Sequence, residues 1–205
     1  MGAQQSNAVP TSVPVRSPRL LDRRRTALVL IDVQERYRTV LHGWDRVTAA
    51  CELLLQGALL LEVPVLVTEQ YPHGLGHTAE ELSRHFVRGG RVIEKRSLSC
   101  LGAAEFDNAL RAVGRQQLLV AGIETHACVN QTVHDLLAAG YQVHVPEDAT
   151  SSRLARDVAP AWAKMLAAGM LPTTSEQSLL ELVETADAPE FRSIQTMLKD
   201  APRWP

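Results

Sequence analysis

Little in this chain marks a special class of protein. Its three cysteines, Cys51, Cys100 and Cys128, are too few and of the wrong parity for a disulfide framework. None is spaced as Cys-x-x-Cys or as a zinc ligand set, so a reducing compartment, the cytoplasm, is expected. Net charge is nearly absent. Twenty-one Lys and Arg against 23 Asp and Glu give -2 at pH 7, which removes any global attraction to nucleic acid or an anionic membrane. Long apolar runs are missing too: the first 18 residues hold no apolar signal segment, and runs elsewhere are about a strand's length, which argues against secretion and membrane spanning. No Gly-x-Gly-x-x-Gly follows the first apolar run, so a dinucleotide enzyme would lack its phosphate cradle. What is present is ordinary: 45% hydrophobic and 21% charged residues in a chain of 205 suit one globular domain acting on a small molecule.

The opening segment, with Pro10, Pro14 and Pro18 among Ser, Gln and Asn, has neither helical nor alternating period. Residues 1–25 are expected to form a flexible tail and 26–205 the domain. Met1-Gly2 with Ser6 fits the short myristoylation pattern, and Arg16, Arg19, Arg23, Arg24 and Arg25 resemble a transit segment, but the prolines break the helix such a segment needs. From residue 26 onward, short apolar runs alternate with longer stretches of helical period. Thr26–Val33 (TALVLIDV) reads as a strand buried on both faces. Trp44, Val47, Cys51, Leu54, Ala58 and Leu61 recur at spacings of three and four, which places Cys51 on the packed face of a helix that stops before Pro64. Further strands are expected at Val65–Thr68, Arg91–Glu94, Gln117–Ala121 and Tyr141–Val145. Helices are expected at Thr78–Phe86, Ala103–Val113, Thr125–Ala139, Arg156–Ala168, Ser178–Val183 and Pro189–Leu198, with a short run at Met170–Thr173. Helix-length crossovers require parallel strands, so the fold class is an α/β three-layer α/β/α sandwich on a mostly parallel sheet of five or six strands.

In such sheets ligands bind beyond the carboxyl ends of the strands. Three reactive side chains fall there: Asp32 after the first strand, Lys95 after the third and Cys128 at the start of the helix after the fourth. A thiol at a helix start sits among unpaired N–H groups and the positive end of the dipole, so its thiolate is expected to be stabilised, more so if Lys95 approaches. Asp32 would then move a proton to the leaving group, completing a set for acyl transfer. Each residue also has a bland reading: Asp32 as the end of a strand, Lys95 as a surface cation, Cys128 as core filling. Their coincidence on one sheet edge favours chemistry. Cys100 stays open.

LVLIDVQE at 28–35, EKRSLS around Lys95 and AGIETHACVNQT at 121–132 resemble the cysteine-hydrolase superfamily of isochorismatases, nicotinamidases and N-carbamoylsarcosine amidases, over residues 26 to about 185. TEQYPHGLG at 68–76 is similar to its isochorismatase-domain-containing branch. The resemblance implies Asp32 as general acid/base, Lys95 as the completing lysine and Cys128 as nucleophile. It implies a cis peptide at Ile123-Glu124 and an oxyanion held by the N–H groups of Ala127 and Cys128, with Gln34, Tyr71, Glu124 and Thr125 bordering the pocket. It also implies a homo-oligomer, a dimer or larger. The nicotinamidase metal motif Asp-x-His is absent from TEQYPHGLGH, and Pro72, Gly74 and Gly76 argue against a helix aligning His73 with His77, so neither metal nor cofactor is expected. His126, beside the nucleophile, is a candidate pocket residue or an outward-facing one.

Three functions follow: a metal-independent cysteine hydrolase of a small carbonyl compound, an acid-catalysed vinyl-ether hydrolase relying on Asp32, and a binding or scaffolding protein on the same fold. The presence of Cys128 favours the first, with an amide as substrate.

Overall fold

In a computed structural model of the chain, residues 16–86 and 91–202 are described. The sheet is built from β1 (Thr26–Ile31), β2 (Val65–Gln70), β3 (Arg91–Lys95), β4 (Gln117–Ile123), β5 (Gln142–Pro146), β6 (Thr150–Ser151) and β7 (Leu171–Thr173). Strands run in the order β3-β2-β1-β4-β5-β7, all neighbours parallel, with β6 paired to the end of β4.

Period-two alternation explains the layers. Along β1, Leu28 and Leu30 enter one core and Ala27, Val29 and Ile31 the other; along β4, Leu119, Ala121 and Ile123 oppose Leu118 and Val120 in the same way. The first core is closed by α1 (Trp44–Leu60), α7 (Ser175–Val183) and α8 (Phe191–Asp200), through Cys51, Leu54, Leu179 and Ile194. The second is closed by α4 (Ala104–Val113), α5 (Asn130–Ala138) and α6 (Val158–Ala167), through Phe106, Leu110, Val133 and Met165. Two single turns, α2 (Pro72–Leu75) and α3 (Glu80–Ser83), follow β2. This is the expected three-layer sandwich. Among the described residues no helix is long and apolar enough to cross a membrane.

Among the described residues the sheet has seven strands where five or six were expected, the unforeseen one being the two-residue β6, which pairs with Gly122 and Ile123. Leu171–Thr173 joins as β7, with Pro172 beside Val145, because an edge strand tolerates a residue without an N–H. A second difference lies at the amino end. Residues 1–15 of the expected tail, with Gly2 and Ser6, fall outside the described residues, but 16–25 are packed as a strap. Leu21 is fully buried, its N–H donating to Glu181 Oε2 at 2.9 Å. Gln117 accepts from Asp22 N at 2.9 Å and donates to Leu20 O at 2.9 Å, while Arg16 pairs with Glu184 at 3.0 Å. These partners lie far along the chain, beyond the reach of local pattern.

β4 packs tightly against β1 at Gly122. This residue has φ of 118° and pairs with Ile31, and a Cβ there would lie 2.1 Å from the Ile31 carbonyl oxygen. Only glycine permits that approach.

His144, on β5, is buried, and the Gln142 Nε2 amide donates to its Nε2 at 2.9 Å, so the ring is neutral with its proton on Nδ1. Burial pushes its pKa down to about 4, against a smaller opposite pull from Glu181. Between its ordinary value near 6.5 and pH 4 the unfolded chain takes up a proton that the native ring refuses, so stability falls as pH falls. The penalty is about 3 kcal/mol by pH 4. Urea unfolding at pH 7 and pH 4.5 should show a His144→Leu variant losing less stability on acidification than the wild type; equal losses would exclude this role.

Candidate active site

Asp32 directly follows β1 in a left-handed conformation, φ 54°, which an Asp adopts at lower cost than a bulky residue. Its N–H still bonds Thr68 O at 3.1 Å, extending the ladder while the side chain turns inward. Thr68, on β2, donates its hydroxyl to Asp32 Oδ1 at 2.7 Å. Asp32 Oδ2 lies 2.7 Å from Lys95 Nζ, and both side chains are almost completely buried. Lys95, the last residue of β3, also donates to Gln70 Oε1 at 2.7 Å and to the Leu98 and Ser97 carbonyls at 3.2 and 3.3 Å. The three ammonium protons are therefore satisfied. Burial alone would lower the Lys95 pKa, but Asp32, with Cys100 and Cys128, outweighs it and the net direction is upward. Lys95 is an ammonium at neutral pH.

Asp32 and Lys95 both act electrostatically on the Cys128 thiol, and only 7% of Cys128 is exposed. Its thiol is pushed up to about 12, by burial first and by Asp32 second, with Lys95 opposing. This corrects the expectation of a stabilised thiolate: desolvation and the carboxylate outweigh the ammonium, and the resting group is a neutral thiol beside a proton acceptor. The expected helix start differs too. Thr125–Val129 form a π-helical turn and α5 begins only at Asn130, so Cys128 precedes the α-helix.

The Ile123-Glu124 bond is cis. Glu124 O accepts from Ala127 N at 3.0 Å and from Val129 N at 3.2 Å, so the Ala127 N–H assigned to an oxyanion is already engaged. The Glu124 carboxylate is buried and bound to Arg153, through its N–H at 2.9 Å and its Nε at 3.0 Å. Thr125 is fully buried, and its hydroxyl has no hydrogen-bond partner among the described residues. Tyr71 is substantially exposed, with the Arg96 guanidinium 4.6 Å from its ring centre; it borders a cavity of about 230 Å³ shared with Pro72, His73, Glu94, Lys95 and Arg96.

Gln34 does not border the pocket. It is fully buried, and its amide is spent on backbone: Nε2 donates to Gly76 O at 2.5 Å and Gln70 O at 3.1 Å, and Oε1 accepts from Gln70 N at 2.9 Å. A helical turn does form at Pro72–Leu75, since Pro suits a first helical position, but it ends at Gly76 before His77. His77 Nδ1 instead lies 3.0 Å from Glu69. Among the described residues no group of three or more His, Cys, Asp or Glu could hold a metal ion. His126 is half-buried, its Nδ1 2.9 Å from Ser152 Oγ.

Sequence reasoning missed Thr68 and Gln70, although both lie at the carboxyl end of β2 where the same strand-end rule points. It also missed Tyr37, whose hydroxyl pKa rises to about 12 through burial and then through the charges of Glu124, Cys128 and Asp32 against Arg153. Cys100 proves to be a neighbour of the group. Its Sγ is 3.9 Å from Thr68 Oγ1, and burial pushes its thiol up to about 11.

A parallel sandwich carrying a buried thiol, carboxylate and ammonium at the carboxyl edge of its sheet has the build of an isochorismatase-like hydrolase. The chain belongs to the Isochorismatase domain family, whose model matches residues 26–177. Over 175 residues it is 38% identical to Isochorismatase domain-containing protein 1 of Salmo salar, covering 85% of this chain but 61% of that relative, so the chain spans about three fifths of it. Among solved structures it resembles the MAR1 ribonuclease from Caenorhabditis elegans, with a TM-score of 0.84 at 34% identity over 90% of this chain and 95% of that one. The octameric YcaC hydrolase of unknown specificity from Escherichia coli shares the fold, with a TM-score of 0.78 at 22% identity over 90% and 98%.

Two measurements follow from this geometry. Iodoacetamide should modify Cys128 more slowly at pH 7 than it does a free model thiol, with the rate still climbing at pH 10; a plateau below pH 8 would indicate a preformed thiolate. Lys95→Met leaves the Asp32 charge buried without its partner and should cost about 3–5 kcal/mol in urea unfolding. Adding Asp32→Asn should recover part of that loss, whereas simple additivity would show that the two groups are not coupled.

Proposed function

We propose that this protein is a metal-independent cysteine hydrolase that cleaves the C–N bond of a small amide through a thioester on Cys128. The supporting observation is the buried Asp32–Lys95 pair, 2.7 Å apart at the carboxyl edge of the sheet, both members of which act electrostatically on the Cys128 thiol. A neutral thiol needs a base at the moment of attack. As Sγ bonds the carbonyl carbon, its proton passes to Asp32, and Lys95 offsets the negative charge carried between sulfur and carboxylate. The Cys128 N–H faces the developing oxyanion; Ala127 contributes only by sharing or releasing its bond to Glu124 O. Asp32 then gives the proton to the departing amine. In the second half, water attacks the thioester as Asp32 takes its proton; the C–S bond then breaks, Asp32 returns that proton to the departing sulfur, and the acid is released with the thiol restored. The charges acting on the thiol, Asp32 and Lys95, are paired with each other, and Glu124 is paired with Arg153, which suits a neutral substrate.

A homo-oligomer working in the cytoplasm belongs to the same proposal, and light scattering on the purified protein tests the assembly. The ribonuclease name of the nematode relative makes RNA a further compound to assay.

The discriminating experiment is turnover of a panel of amides, ureides, esters, a vinyl ether and an RNA oligonucleotide, with intact-mass detection of acylated enzyme. An acyl adduct should map to Cys128, and Cys128→Ala should lower amide turnover by more than about 1,000-fold. Vinyl-ether cleavage that survives Cys128→Ala would replace this reading with acid catalysis by Asp32. A panel giving neither turnover nor adduct would favour a binding role.

A further inference from the structure

Gln70 carries no reactive group, yet it supplies the second short side-chain contact to the Lys95 ammonium. Its Oε1 lies 2.7 Å from Nζ, the same separation as Asp32 Oδ2. The carboxamide is fixed in orientation, because its Nε2 donates to Arg96 O at 2.9 Å, leaving only the oxygen to face the cation. The backbone of Gln70 is held in turn. On one side it pairs with Lys95 across the β2–β3 ladder; on the other, Gln34 fills the place of a neighbouring strand, exchanging two amide bonds with Gln70 and a third with Gly76.

We propose that Gln70 is a positioning residue for Lys95, holding the ammonium where it faces both Asp32 and Cys128, with Gln34 as its backbone clamp. A neutral amide suits this task. It accepts one ammonium proton without competing as an anion for the charge that Asp32 and the ionising thiol use. A carboxylate at the same place would divide that charge between two anions, and an apolar side chain would leave an ammonium proton without a short acceptor. The ionisable groups acting on Lys95 are Asp32 from the end of β1, Cys100 from the turn after β3 and Cys128 from the turn after β4.

The consequence for turnover rests on the hydrolase reading above; the electrostatic role does not. The test uses the full chain labelled at lysine Cε with carbon-13. With only three lysines, Lys95, Lys164 and Lys199, assignment is direct. Gln70→Met should lower the Lys95 titration midpoint by about one pH unit and Gln70→Glu should raise it, because one removes an acceptor for the charged form and the other adds an opposite charge. Lys164 and Lys199 should stay where they are. A merely structural role for Gln70 does not produce opposite shifts in two variants of similar size, so a Lys95 midpoint that is unmoved, or that moves the same way in both, overturns the proposal. Should Gln70→Met fail to fold, the direction in Gln70→Glu decides. Once a substrate is in hand, both variants should lose at least tenfold in kcat with KM little changed; if no substrate is found, the lysine titration still stands or falls alone.

Discussion

The Asp32–Lys95 pair is the constraint around which the rest is arranged. Removing a carboxylate and an ammonium from water costs several kcal/mol per ion, and their attraction repays this only when every remaining proton and lone pair is met. Here Thr68 meets one carboxylate oxygen, while Gln70 and the Ser97 and Leu98 carbonyls meet the ammonium. Those groups come from β1, from β2 and from β3 with the turn after it. A slip of one residue in either strand pairing would turn a member of the pair to the wrong face of the sheet. Correct register and a satisfied ion pair are therefore the same event.

Burial also decides the chemistry. A thiol at a solvent-exposed helix start beside a lysine would ionise early and react with any electrophile. Cys128 lies deeper, and burial and the neighbouring Asp32 both push its thiol pKa upward. In the proposed reaction the carboxylate that raises the thiol's pKa would also accept its proton, so suppression at rest and activation on demand would come from one residue.

Much of the fold was legible because apolar runs and helical spacing report burial directly. Cys51 was placed in the core from its helical face, where it is indeed fully buried. What was not legible depended on partners remote in sequence. A stretch with three prolines and several arginines reads as a tail, and only Glu181 and Gln117 reveal that its described part is a strap. Gln34 sits in the motif that carries the family resemblance, which suggested a pocket residue; its amide is consumed by the last residue of β2 and the turn after it, 36 and 42 residues later. The position of Cys128 relative to Asp32 and Lys95 followed from strand topology, but its protonation state did not, because that depends on how completely water is excluded.

Gly122 has a wider consequence. At the point where β4 presses on β1, even a methyl group would meet the Ile31 carbonyl oxygen at 2.1 Å. The distance between the strand ends that carry the carboxylate and lead to the thiol is thus set by backbone against backbone, and no side-chain exchange there can adjust it in small steps. If the proposed reaction holds, what the protein acts upon would be varied in surrounding loops such as the one that carries Tyr71, and not at this contact between strands.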